Sequence, residues 1–144
     1  MSLRRTVLIS LLTAAACLCT QAATDEEGNA HKMALDLAGA FSNDGFKVRD
    51  GYWSGTVAPG EPVLVAVNLF AGNQYWFTAG AGDAAKKIAV DVYDENGQQI
   101  VADGYNSGNK AAAGCAPTSS GQYYISVNLS EGQATTVCLL YSYK

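Results

Sequence analysis

The spacing of apolar residues divides the chain into one helical segment followed by a long run of short strands. In residues 29–45 the apolar side chains recur every three or four positions, which is the pattern of an amphipathic helix. The residues of this stripe are Ala30, Met33, Ala34, Leu37 and Phe41. The turn formers of Ser42-Asn-Asp-Gly45 predict the end of the helix. We expect the helix to lie as a lid on one end of the strand domain, with a partner-binding arm as the alternative.

From Phe46 to the C-terminus the pattern changes to alternation of apolar and polar residues, which indicates half-buried strands. About eight or nine such strands are separated by glycine-rich turns, and this favours an all-β sandwich or barrel. Val63–Phe70 is apolar on both faces, so we expect it to be a central strand. A final hairpin, Gln122–Leu129 with Ala134–Tyr143, closes the predicted domain.

Asn96 and Gly97 predict a tight hairpin turn, because both accept the positive φ that a type I′ turn requires. A two-residue turn places Tyr93 opposite Ile100 and predicts a returning strand directly after the turn. The next segment, Asp103–Asn109, is rich in turn formers and predicts a loop.

The N-terminus has the organisation of a secretory signal peptide. Arg4 and Arg5 precede the apolar run Thr6–Cys19, and a small-x-small site predicts cleavage before Ala23. The chain then divides into a removed signal peptide (1–22), a leader with a short helix (23–45) and a β-sandwich domain (46–144).

Export places the mature protein in the periplasm or outside the cell. The apolar run is shorter than the roughly 20 residues of a membrane span, so we expect no membrane insertion. Lipidation at Cys17 is an alternative that we disfavour, because the preceding Ala14–Ala16 lacks the usual leucine.

The charge is acidic, with 9 Lys and Arg against 13 Asp and Glu and a formal net charge of −4. Loss of Arg4 and Arg5 with the signal makes the mature chain more acidic still. An acidic chain without a basic cluster argues against nucleic acid and against anionic membrane surfaces as partners.

Two cysteines remain after the predicted cleavage, Cys115 and Cys138. An even count in an oxidising compartment predicts that they form a disulfide, which would fasten the last strand to the body of the fold. A zinc site is the poorer alternative, because two cysteines without a nearby histidine do not complete four ligands.

Three stretches in the second half of the chain resemble the bacterial pre-peptidase C-terminal domain over roughly residues 52–143. They are Tyr75-x-Phe77, Val90-x-Val92-Tyr93-Asp94-x-x-Gly97 and Ser120-Gly121-x-Tyr123-Tyr124-x-x-Val127. The resemblance implies a secreted antiparallel β-sandwich of jelly-roll type, a domain that is usually appended to exported enzymes. Here Asn73 or Gln74 stands where the family commonly has an acidic residue, and no enzyme is attached.

Catalytic chemistry has few candidates. His31 is the one histidine, it lies beside the apolar stripe of the helix, and no nucleophile motif accompanies it. We therefore expect no enzyme, with a hydrolase as a remote alternative. No cofactor is expected except a weak calcium candidate at the hairpin tip, where oxygen ligands cluster. These ligands are Asp91, Asp94, Asn96 and Asp103, and turn formation explains the same residues.

Outward aromatic residues are the remaining binding candidates. Strand alternation puts Trp76 and Tyr124 outside if their neighbours face the core, and Trp53 is a third candidate. We expect them to form one outward aromatic face that holds a protein or a glycan partner, or else to be covered by the helix. The predicted function is a secreted non-catalytic binding or accessory module. The alternative is a small structural or envelope-stress periplasmic protein without a ligand site.

Overall fold

The computed structural model describes residues 18–100 and 103–144, with side chains from Asp25 onward. One helix precedes nine strands in this part of the chain. The elements are α1 (Leu18–Ser42), β1 (Lys47–Val48), β2 (Trp53–Val57), β3 (Val63–Leu69), β4 (Tyr75–Ala81), β5 (Ala85–Tyr93), β6 (Asp103–Ser107), β7 (Lys110–Cys115), β8 (Gly121–Gly132) and β9 (Thr135–Tyr143).

The strands form two antiparallel sheets, which confirms the predicted all-β class. The larger sheet has the order β1-β9-β4-β7-β6, with β2 also paired to β9, and the smaller sheet has the order β3-β8-β5. Alternate residues of both sheets turn inward and form one apolar core, with Phe77 and Leu139 from the larger sheet against Ile88, Ile125 and Leu129 from the smaller. The sheets therefore pack face to face.

Helix α1 packs on the strand domain as a lid would, but it covers the outer face of the larger sheet and not, as predicted, one end of the domain. Its buried stripe is Ala30, Ala34 and Ala38, which packs on Cys138 and Leu140. Small residues on both sides let the helix backbone approach the sheet closely. At Gly80 a Cβ would lie 2.5 Å from the Ala30 carbonyl oxygen, so glycine is required there.

The helix is longer at its start than its amphipathic pattern predicts. Residues 24–28, expected to be a loose leader, are helical because two carboxylates fix them to the sheet. Glu26 accepts hydrogen bonds from the Thr135 hydroxyl and the Thr136 N–H, and Glu27 accepts one from Ser54. The predicted C-terminal end is confirmed, since the Gly45 N–H bonds to Ser42 and Gly45 has φ 90°.

The predicted signal peptide lies outside the described residues up to position 17. Helix α1 begins at Leu18 and passes through the predicted cleavage position before Ala23. Within the described residues, no helix is long and apolar enough to cross a membrane.

Strand β3 lies at an edge of the smaller sheet, so its prediction as a central strand is wrong. Among the described strands it pairs with β8 alone, with Val65 opposite Ile125. The apolar residues on its second face are exposed instead of buried, and Leu64 retains 61% of its accessible surface. A strand that is apolar on both faces has the same pattern at an edge as at the centre, and here the edge carries uncovered apolar surface.

The hairpin after β5 has the predicted glycine but a different register. Gly97 has φ 77°, and its N–H bonds to the Asp94 carbonyl at 3.0 Å. Tyr93 pairs with Gln99, so the loop has three residues and the predicted pairing of Tyr93 with Ile100 is wrong by one position. A type I turn followed by one residue with positive φ is the usual form of such a loop.

The chain after this hairpin departs from the predicted pattern. Only an isolated bridge at Gln99 marks the predicted returning strand before residue 100, and residues 101–102 lie outside the description. The predicted loop at 103–109 contains strand β6, which pairs with β7 at the other edge of the larger sheet. All five residues of β6 are exposed, so no alternation of apolar residues marked the strand.

Cys115 and Cys138 are both free and buried, so the predicted disulfide is wrong. Both neighbour β4, but Cys115 pairs with Tyr75 and Cys138 with Gly80, which separates them by about 17 Å along the strands. They also lie on opposite faces, Cys115 in the core between the sheets and Cys138 under the helix. A disulfide needs Cα atoms within about 7 Å. Burial raises the pKa of each thiol to about 11.

Candidate binding cleft

The two sheets are joined along one side and open along the other. On the closed side, the Ile88 N–H of β5 donates to the Gly108 carbonyl of the β6–β7 turn at 3.1 Å. On the open side lies a cleft of about 500 Å³, which we call the inter-sheet cleft. Its lining residues are Arg49–Trp53, Val65–Asn68, Phe70, Phe77, Leu139 and Tyr141.

The walls of the inter-sheet cleft contain aromatic and aliphatic side chains beside the polar residues Arg49, Asp50 and Asn68. Trp53, on β2, packs against the core from the larger sheet. Its ring lies directly against Gly55, where an added Cβ would be only 2.7 Å from the nearest ring carbon. From the smaller sheet, Val65 and Val67 of β3 are only half-buried. Phe70, just beyond β3, retains 58% of its accessible surface. These side chains are open because, among the described strands, β3 has no neighbour on this side.

One rim of the cleft is an irregular segment between β1 and β2. Val48 pairs with Ser142 and Trp53 with Leu139, so residues 49–52 occupy the place of two residues on β9. Such bulges redirect side chains and often lie beside functional sites. Gly51 has φ 87°, which allows the chain to make this detour.

The bulge places a cation at the cleft. The Arg49 guanidinium lies over the Tyr141 ring, 5.0 Å from its centroid. The backbone N–H of Arg49 donates to the backbone carbonyl of Tyr141 at 2.9 Å. Among the residues that the structure describes, no carboxylate lies within 4.0 Å of this guanidinium. The cleft lining therefore combines apolar side chains with one cation, Arg49, and one carboxylate, Asp50, and in the described chain the two do not form an ion pair within 4.0 Å.

Tyr52 connects the same rim to helix α1. Its ring stacks on His31 with centroids 4.1 Å apart, and its hydroxyl donates to Glu27 at 3.1 Å. The Ser54 hydroxyl donates to the same Glu27 oxygen at 3.0 Å. The hydrogen bond to Glu27 raises the pKa of Tyr52. Glu27 and His31 of the helix are thus joined to Tyr52 and Ser54 at the start of β2. The Ser54 hydroxyl donates its hydrogen bond to Glu27.

The three aromatic residues predicted as one binding face lie in three different places. Trp53 lines the inter-sheet cleft. Trp76 lies on the outer face of the larger sheet, where it stacks on Phe41 of α1 at 4.1 Å and lies against Gly114. The prediction of a shared face is therefore wrong, because the helix covers the outer side of β4.

Tyr124 lies on the outer face of the smaller sheet, on the other side of the molecule from Trp76. It pairs across the strands with Tyr93, and its hydroxyl donates to Gln122 at 3.1 Å. Its neighbours Tyr123 and Ile125 belong to the core, so strand alternation placed it correctly outside. A cross-strand aromatic pair of this kind stabilises a sheet by itself.

The calcium candidates are not brought together by the fold. Asp103 lies on β6 of the larger sheet, whereas Asp91 and Asp94 belong to the hairpin of the smaller sheet. One Asp94 oxygen accepts two backbone N–H bonds of the turn, from Asn96 and Gln98, both at 2.9 Å. Asp91 accepts a bond from the Gln99 amide. In residues 18–100 and 103–144, no three acidic, histidine or cysteine residues form a metal-binding group. The acidic residues of the hairpin hold the turn.

Sequence reasoning missed most of the cleft. Arg49 and Tyr141 carried no motif, and Val65 and Val67 belong to a segment that was predicted to be a central strand. The available signal was the two-sided apolar pattern of Val63–Phe70, which fits an edge strand whose partner is absent as well as it fits a central strand.

Comparison with known proteins adds no family to this description. The sequence matches no family model and none of the curated proteins at a significant level.

Proposed function

We propose that the chain is a secreted, non-catalytic binding or accessory module, and that it holds its ligand in the inter-sheet cleft. The uncovered cleft is the observation that carries the proposal. Apolar surface in contact with water costs about 25 cal/mol per Å². A chain that covers the outer face of its larger sheet with a helix, yet leaves Trp53, Val67 and Phe70 open on one side, has a surface suited to a ligand.

The resemblance to pre-peptidase C-terminal domains belongs to the same proposal. Two antiparallel sheets with one shared core are compatible with a jelly-roll sandwich, and that family consists of accessory domains. Export to the periplasm or the cell exterior completes the proposal, since the N-terminal pattern is that of a signal peptide.

The chemistry of the cleft suits adhesion better than catalysis. Its lining mixes apolar and polar groups, and Trp53, Val67 and the Arg49–Tyr141 pair offer packing surface to a protein or glycan. Aromatic residues and arginine are the types enriched where proteins bind partners tightly.

The proposal is tested by capture experiments with a cleft variant and a matched control. Val67→Lys puts a charged chain into the cleft at a half-exposed position, where lysine can extend to solvent. The control Tyr105→Lys introduces the same residue on β6, at an edge remote from the cleft. Each protein is immobilised and exposed to envelope extract and to a panel of soluble glycans.

We expect capture by the parent protein and by Tyr105→Lys, and loss of capture by Val67→Lys. Phe70→Ser, at a position that is already mostly exposed, serves as a second cleft variant if the lysine impairs folding. Equal capture by all proteins, or no specific capture by any, would refute a ligand in the cleft.

A further inference from the structure

Edge strands expose unpaired backbone N–H and C=O groups, and proteins usually protect them with charge, proline, bulges or short length. Within the described residues, the two sheets have four edges, and three are protected. The β1–β2 edge is broken by the bulge at 49–52. Strand β6 has five residues and carries Asp103. Strand β5 has a register shift beside Lys87 and is covered by Gly108.

Strand β3 has none of these protections. It runs for seven residues without interruption, and the segment Val63–Phe70 contains no charge and no proline. At about 3.3 Å per residue it presents an edge about 23 Å long. Its backbone groups alternate between β8 and the open side, so about half of them point to the side where no described strand pairs with them.

The neighbouring strand position would lie at the mouth of this cleft. Strands in a sheet are about 4.8 Å apart, so a strand beside β3 would lie in front of the half-exposed Val65 and Val67. Every second side chain would point inward, toward Trp53 and Tyr141 on the opposite wall. The free backbone edge and the apolar cleft are therefore two halves of one site.

We propose that the occupant is an extended segment of a partner polypeptide, which adds to β3 as a further strand. This inference rests on the proposed function and specifies its ligand class. The backbone of the segment bonds to the edge of β3, and its alternate apolar side chains fill the inter-sheet cleft, which is the recognition mode of strand addition.

The charge at the rim defines the segment further. Arg49 lies over Tyr141 at the cleft without a carboxylate partner among the described residues. A carboxylate on the bound segment, from an acidic side chain or a C-terminus, would form a charge-assisted bond with this guanidinium. The segment is thus apolar at every second position and acidic at one end.

A second copy of this chain fits the site less well than a lone segment. Residues 49–53 of the chain itself form the opposite wall of the cleft. In a symmetric β3–β3 pair, the second copy would bring both of its sheets to the open side of β3. Residues 49–53 already stand on that side, so little room is left for two sheets. A single extended chain needs the width of one strand only.

The inference is tested by selecting binders from a phage-displayed library of random octapeptides. The bait is the protein purified after expression of the full chain. The expected winners have apolar residues at alternate positions and an acidic residue near one end. They should bind the parent and Tyr105→Lys, and affinity for Val67→Lys should fall at least about tenfold. Arg49→Gln should remove the acidic preference and leave the alternation unchanged.

Backbone N-methylation of the winning peptide supplies a readout that side-chain contacts alone would not change. Methyl groups at alternate nitrogens on the side facing β3 should weaken binding at least about tenfold, and methyl groups at the other set should have little effect. Hydrogen exchange should show new protection at alternate amides of β3. Winners without alternation, or binding insensitive to both methylation sets, would overturn strand addition, as would a dimer that dissociates in Val67→Lys.

Anilinonaphthalene sulfonate, an aromatic dye with one negative charge and no peptide backbone, distinguishes failure of strand addition from failure of the proposed function. If this dye binds the parent, is lost in Val67→Lys, and no peptide is selected, strand addition is wrong and a cleft ligand of amphiphile type replaces it. If Val67→Lys changes the binding of neither the dye nor any peptide, the proposal of a ligand in the cleft is wrong as well.

Discussion

Replacement of Gly80 by alanine is the sharpest test of how the helix is docked on the sheet. A Cβ at this position would lie 2.5 Å from the Ala30 carbonyl oxygen and 2.7 Å from the Ala34 nitrogen. Both are backbone atoms of α1, so no side chain can rotate away. The helix must move outward by about 1 Å to restore ordinary contact distances.

That movement loosens the interface around it. The Thr78 hydroxyl donates to the Ala34 carbonyl at 3.3 Å, and Ala30, Ala34 and Ala38 lose part of their packing on Cys138 and Leu140. Inserting a methylene into a packed interface costs about 1–3 kcal/mol. We expect Gly80→Ala to lower the free energy of unfolding by about 2 kcal/mol, which is a large fraction of the total for a domain of this size.

Urea denaturation measures the change. Tryptophan fluorescence is suited to this transition, because Trp76 stacks on Phe41 of the docked helix. The matched control is Gly104→Ala in β6, where the nearest heavy atom to the new Cβ lies 4.0 Å away and the expected change is within about 0.5 kcal/mol. Gly39→Ala, which meets open space on the helix, should stabilise by roughly 0.5–1 kcal/mol. A Gly80→Ala protein as stable as its parent would refute the close approach of helix and sheet.

Two further predictions concern single contacts. Hydrogen bonds from the Thr135 hydroxyl and the Thr136 N–H lower the pKa of Glu26, so its contribution to stability is present above its ordinary pKa of 4.5 and is lost as the pH falls through the lower folded-state value. In urea denaturation, Glu26→Gln should therefore lower the free energy of unfolding by at most about 1 kcal/mol near pH 7, and this loss should shrink as the pH falls below 4.5. The exposed control Glu131→Gln should cost little at either pH, and a Glu26→Gln loss that does not depend on pH would contradict this origin. Gly97→Val should lower the free energy of unfolding by about 1 kcal/mol or more, because valine resists the φ of 77°, and an unchanged urea midpoint would show that the turn tolerates valine.

The local pattern of the chain was enough to predict most of its elements. Alternation identified β5 and β8, and the apolar stripe from Ala30 to Phe41 identified the packed part of α1. Ser42–Gly45 and Gly97 were recognised by their turn chemistry. These features depend on neighbours within about five positions, so short-range spacing contains the information that specifies them.

The order of strands in the sheets was decided by tertiary structure alone. Val63–Phe70 has the same apolar pattern at the centre of a sheet or at its edge, and only the pairing β3-β8-β5 leaves it open. The predicted disulfide failed for the same reason. Cys115 and Cys138 flank β4 five positions apart and on opposite faces, and no spacing along the chain reveals that register.

The site depended on this long-range pairing as well. Strand alternation correctly put Trp76 and Tyr124 outside, yet it could not show that they belong to different sheets or that Phe41 covers Trp76. The sequence by itself determined which side chains turn inward or outward along the strands that alternate, such as β5 and β8, because that follows from the period of the backbone. Only the tertiary structure decided which faces meet, since pairing partners come from distant parts of the chain, and it therefore decided that Arg49, Trp53 and Tyr141 face β3 across an open cleft.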